Sequence, residues 1–209
     1  MKKYVVLAIE TVIVILLTCH VLLVPYIDQL VWKRIFNISV VLLMGASAFV
    51  ACKLSGIEID FEWKNYKQYL FGIGIAIVLA FFIGVVPVWC GISFIGSHTD
   101  FQAGAFLYSI FYYFLLVGPV EELIFRVYYQ KFFVGVFQKH RWIGVILASL
   151  LFGLWHIING SWVQVLFTFG IGAVFGFAKE YLKDMHYPGV SLAHGSYDFI
   201  LNCLRYFLL

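Results

Sequence analysis

Val117-Gly118-Pro119-Val120-Glu121-Glu122-Leu123-Ile124-Phe125-Arg126 sets three ionisable residues inside an apolar run. Residues 102–118 before this stretch carry no Asp, Glu, Lys or Arg, and residues 127–137 after it carry only Lys131. A charge at the centre of a bilayer costs about 2.5–3.5 kcal/mol on insertion scales, so such a position is a functional-site hypothesis by default. Whether this run crosses a membrane decides the fold.

The rest of the chain answers that. Of its 209 residues, 63% are hydrophobic and 12% are charged, and mean hydropathy is +0.96. An ordinary soluble domain is about 25% charged. The apolar runs are long and continuous, which excludes the short alternating segments of a β-barrel. Helices satisfy their own backbone groups in lipid. The expected fold is all-α: a polytopic transmembrane bundle of seven to eight membrane helices, one integral-membrane domain over 1–209. Candidate spans are 4–24, 35–52, 69–90, 102–118 continuing toward 137, 142–158, 162–178 and 190–209. The apolar run that follows Lys2-Lys3 reads as a retained first helix and not as a cleaved signal.

Segment 102–137 is too long for one straight crossing, at about 54 Å. Gly118-Pro119 offers a kink, and the run is either one bent helix or a span followed by another embedded helix. Residues 53–68 are the most polar stretch, with Ile57, Ile59, Phe61 and Trp63 alternating with polar residues as in a surface hairpin or interfacial segment. Lys and Arg near 2–3, 53–68, 138–141 and 179–186 set those ends in the cytoplasm, with the N-terminus there too. Gly172-xxx-Gly176 is a small-residue pattern for close helix packing. The four cysteines, Cys19, Cys52, Cys90 and Cys203, have no paired spacing and read as small core residues. Nothing resembles a nucleic-acid patch.

Adjacent helical residues point about 100° apart, whereas residues four apart share a face. Glu122 therefore pairs with Arg126, and Glu121 faces elsewhere, as a general base acting on water would. The alternative is a structural ion pair beside a buried, protonated glutamate. Phe152 and His156 are four apart on one face, as are His194 and Asp198. An imidazole beside a carboxylate has its tautomer fixed, or both groups point at one water or metal. Each set alone reads as polar side chains satisfying themselves in lipid. Together they make residues 101–209 the motif-bearing catalytic half and residues 1–100 a helical scaffold.

In order and spacing, Glu121-Glu122-xxx-Arg126, Phe152-xxx-His156 and His194-xxx-Asp198 resemble the three motifs of the CAAX-processing and bacteriocin-processing (CPBP, or Abi) intramembrane proteases. The resemblance covers roughly residues 102–205. It implies an endopeptidase acting on a membrane-associated peptide or protein, in which Glu121 and His156 activate the attacking water. His194 and residue 198 would stabilise the oxyanion or complete a metal site. That family often has Asn at the last position, so Asp198 leaves open whether 198 donates a hydrogen bond or only accepts one. Glu121, His156, His194 and Asp198 are the candidate ligands of a divalent metal such as zinc, and the same set polarises water without one. The expected setting is a multi-pass protein of a bacterial plasma membrane. A second class of reading is a non-catalytic immunity or binding protein of the same fold, and a third is a proton-coupled transporter. On the simple topology His156 lies about 21 Å along its helix and His194 about 9 Å along its own. For the two to share a depth, residues 179–189 must enter the membrane or the boundary at 142 must move.

Overall fold

The computed structural model describes residues 2–158 and 160–209. All regular structure among them is helical. Six helical runs are long and apolar enough to cross a membrane: Lys2–Tyr26, Leu30–Ser55, Tyr66–Trp89, Ala103–Val136, Gln138–Ile158 and Trp162–Tyr181. They correspond to the first six candidate spans. The C-terminal helix α10 (Tyr187–Phe207) has 21 residues but is not among the six. His194, Ser196, Asp198 and Asn202 give it a polar character that the other runs lack.

Ala103–Val136 is one unbroken helical run, which resolves the ambiguity of that segment. It holds α5 (Ala103–Tyr112), α6 (Gly118–Glu122) and α7 (Gln130–Val136), joined by two wide turns. In the first, Tyr113–Val117, the Gly118 N–H reaches back five residues to the Tyr113 carbonyl. Pro119 follows directly. Proline has no N–H and its ring collides with the carbonyl four residues earlier, so a widened turn makes room for it. The same device recurs between α3 (Tyr66–Ala80) and α4 (Val86–Trp89). There the Val86 N–H bonds to Phe81 just before Pro87.

The chain divides into two compact units. The first comprises Met1–Asp60 and Val120–Lys183. It contains α1 (Lys2–Thr18), α2 (Leu30–Ser55), α7, α8 (Arg141–Trp155) and α9 (Trp162–Tyr181), with the wide turn Leu123–Tyr129 buried along its whole length. In lipid, no hydrophobic force drives helices together, so small residues and polar bonds do the joining. A Cβ on Gly153 would meet the Val165 carbonyl at 2.8 Å, and one on Gly176 would meet Gln130 Oε1 and Val145 at 2.8 Å. Gly170, by contrast, has nothing within 4 Å. The Gly172/Gly176 face is thus a packing face, as its spacing implies. Buried Glu10 of α1 accepts a hydrogen bond from the Ser47 hydroxyl of α2 at 3.1 Å. Tyr129 donates to Thr11 at 3.1 Å, and the Trp155 indole donates to Thr18. The polar residues of α1 therefore serve as helix-joining groups.

Residues 57–65 are irregular and form no hairpin, and the Asp60 side chain ties the stretch to two helices. Its carboxylate meets Lys131 of α7 at 3.3 Å and Lys179 of α9. Burial opposes its charge, but Lys179 and Lys131 outweigh burial and hold the Asp60 carboxyl below the ordinary carboxylate range. A depressed pKa contributes stability that is complete above the unfolded-state value of about 4 and is lost as pH falls through the folded value. The gap in thermal stability between wild type and Asp60→Asn is expected to hold from about pH 7 to about pH 5 and to close toward about pH 3. A gap that persists or grows on acidification contradicts this.

The second unit comprises Phe61–Pro119 and Asp184–Leu209. Its axis is the pairing of α3 with α10. Gly72, Ala76, Ala80 and Gly84 recur every four residues and are buried, which makes one small-residue face. A Cβ on Gly72 would stand 2.6 Å from the Gly189 carbonyl oxygen, and one on Gly84 would stand 2.6 Å from Leu204. Gly74, two residues along, has open space around it. Gly72→Val is expected to destabilise the protein by about 1–3 kcal/mol, read by thermal unfolding in detergent. Gly74→Ala is expected to be neutral or mildly stabilising, and equal losses in both would refute the packing account. All four cysteines are free; Cys52 is in the core, but Cys90 is exposed, contrary to a uniform reading of them as core residues.

Candidate active site

The first motif sits at the start of the wide turn Leu123–Tyr129, whose end is marked by the Gln130 N–H bonding to the Phe125 carbonyl. Glu121 is 9% exposed, and Glu122 and Arg126 are fully buried. Arg126 Nε lies 3.4 Å from Glu122 Oε2, the pairing that four-residue spacing implies. The charge of Glu121 also reaches Arg126, more weakly than that of Glu122. A widened turn brings residues five apart toward a common face, so the two glutamates are less cleanly divided than regular helical geometry has it. Such bulges are frequent at functional sites. Nothing in the sequence beyond Gly118-Pro119 signals this one.

The second motif ends α8. The helix tightens there, and the His156 N–H bonds to Gly153 and Leu154 instead of Phe152. This strips the Phe152 carbonyl of its usual donor. The His156 side chain replaces it: Nδ1 lies 2.8 Å from that oxygen. A carbonyl only accepts, so Nδ1 carries the proton and Nε2 keeps its lone pair in the neutral ring. The pattern Phe152-xxx-His156 is thus a self-made helix C-cap that fixes a tautomer.

These two motifs meet within the first unit. The Arg126 guanidinium lies over the Phe152 ring at 5.0 Å from its centroid, and Phe125 stands edge-on to the same ring at 5.1 Å. Phe152 in turn contacts the His156 ring at 4.8 Å. Phe152 is therefore the joint between the motifs, a larger role than support of His156 alone. Gly172 of α9 makes room for the joint; a Cβ there would lie 2.8 Å from Phe152 and 3.0 Å from Arg126 Nη2.

The third motif belongs to the second unit. His194 is 4% exposed, and its Nε2 lies 3.5 Å from Asp198 Oδ2. Gly195 and Gly118 form a close backbone contact there, since a Cβ on Gly118 would lie 2.9 Å from Gly195 N and 2.7 Å from the Ser191 carbonyl. The Tyr187 hydroxyl donates to the Pro119 carbonyl at 2.9 Å.

Sequence reasoning missed the buried amides. Gln130, four residues beyond Arg126, donates to the Gly176 carbonyl at 3.0 Å. Gln68 of α3 is fully buried and bonded on both sides of its amide. Their only signal was polarity near a helix end. Among the described residues, no three His, Cys, Asp or Glu side chains gather in a group that would hold a metal ion. The candidate zinc ligands that the resemblance allows fall in both units, Glu121 and His156 in the first and His194 and Asp198 in the second, and no step is derived through a metal.

No curated protein and no solved structure matches the chain. Residues 103–200 match the family described as type II CAAX prenyl endopeptidase Rce1-like, a stretch that holds all three motifs. Over those residues, just under half of the chain, it is similar to the CPBP family.

Proposed function

We propose that the protein is an intramembrane endopeptidase that hydrolyses a peptide bond of a membrane-associated peptide or protein. Glu121 is the general base. It takes a proton from water as the water oxygen attacks the scissile carbonyl carbon. His156 accepts a hydrogen bond from that water at Nε2. In its imidazolium form, with a proton on each ring nitrogen, His194 donates to the oxyanion through Nδ1, while Asp198, which only accepts, holds Nε2–H. The proton on Glu121 then passes to the leaving amine nitrogen as the C–N bond breaks. Glu122 and Arg126 hold the helix, and Phe152 holds the ring of His156.

The observation that carries this reading is the buried joint between the first two motifs, Arg126 over Phe152, with His156 locked in one tautomer beside it. The family match supports the reaction class. The lysine and arginine distribution supports a cytoplasmic N-terminus, and we take α10 as a seventh membrane element. The test is cleavage of an internally quenched, farnesylated CAAX-type peptide and its unprenylated counterpart by purified protein in lipid nanodiscs. Wild type is compared with Glu121→Gln.

A further inference from the structure

The helix that bears His194 has an unusual beginning. Its N-cap residue, His186, makes no side-chain cap bond, and Pro188 in its first turn has no N–H. The Val190 N–H is taken by the His186 carbonyl at 3.1 Å. The N–H of buried Gly189 has no partner from its own helix, since the first N–H groups of a helix have none. Gln68 supplies one from α3: its Oε1 accepts from Gly189 N at 3.0 Å. The other end of the same amide donates from Nε2 to the Glu62 carbonyl. Gln68 is 0% exposed, and its bond to Gly189 is buried while the one to Glu62 lies nearer the surface.

Packing makes this cap a gauge of position. A Cβ on Gly189 would stand 2.7 Å from Gln68 Cβ, and a Cβ on Gly72 would stand 2.6 Å from the Gly189 carbonyl oxygen. The two helices touch at the height of the cap because both residues are glycine. His194 lies five residues on, a rise of about 7.5 Å in the same rigid helix. A slip of α10 by one residue rotates His194 by about 100° and shifts it by about 1.5 Å.

We propose that Gln68 is a positioning residue for hydrolysis: by capping α10 from α3 it fixes the height and rotation of His194. This rests on the catalytic reading of His194 given above. Both ends of the Gln68 amide are engaged by backbone groups, the Gly189 N–H and the Glu62 carbonyl, so its effect belongs to the turnover step. Misplacement of this kind costs about a hundredfold in rate.

The experiment uses the full-length protein in nanodiscs with the farnesylated peptide as probe. It compares wild type, His194→Ala, Gln68→Leu and Gln68→Glu, with kcat expressed per folded molecule. Gln68→Leu is expected to lower kcat about a hundredfold while KM stays within about threefold. Gln68→Glu keeps an acceptor for Gly189 and is expected to recover most of that loss. Where Gln68→Leu is not recovered folded, Gln68→Asn carries the same reading, since its amide is one carbon too short to reach both partners. Unchanged kcat in an otherwise active, His194-dependent enzyme overturns the role of Gln68. An inactive wild type, or a His194→Ala variant that still cleaves, overturns the catalytic reading and the inference with it.

Discussion

Glu121→Gln leaves a folded protein that still binds peptide and cleaves it about a hundred to ten thousand times more slowly, the range that a general base contributes. The substitution keeps side-chain length and planar shape, so the packing of a residue 9% exposed is preserved. It removes the ability to take a proton from water. KM is expected to change little, since the loss falls on the transition state. Two controls separate this from a structural effect: thermal stability in the same nanodiscs, and the retained pairing of Glu122 with Arg126. A non-catalytic immunity protein of this fold predicts the opposite pattern, with binding intact and no turnover in either form. Equal cleavage by wild type and Glu121→Gln removes Glu121 from the mechanism.

The parts of the molecule that could be read in advance are those fixed by short-range spacing. Four-residue intervals correctly joined Glu122 to Arg126, Phe152 to His156 and His194 to Asp198. Six of the seven candidate spans are helices long and apolar enough to cross a membrane, short of the seven to eight expected, and those six were legible because helix length and apolarity are local properties. What stayed hidden depends on backbone hydrogen bonding or on distant partners. The wide turn after Glu122 changes which residues share a face, and no residue type in Leu123–Tyr129 demands it. The contact of Arg126 with Phe152 joins residues far apart in sequence, which no periodicity encodes. Gln68 ends the polar stretch 53–68 with nothing local to mark it, and only Gly189 reveals it as a cap. Residues 1–100 read as scaffold, yet α3 supplies that cap and the small face that holds α10.

Breaking the Glu122–Arg126 pair from one side is expected to cost about 3–5 kcal/mol, because it strands a charge in a site with no access to water. Both side chains are fully buried, and the guanidinium is packed between the Phe152 ring and Gly172. Arg126→Met and Glu122→Leu should each lower thermal stability sharply and leave little recoverable protein. The double variant Glu122→Leu/Arg126→Met removes both charges while keeping apolar volume, and it is expected to regain most of the stability. Well-packed apolar residues replace buried ion pairs with little loss. The coupling between the two sites, read from the four proteins by thermal unfolding, should exceed about 2 kcal/mol. Additive losses would mean that each residue is held by other partners, and the pairing would then not explain why two charges persist at this depth.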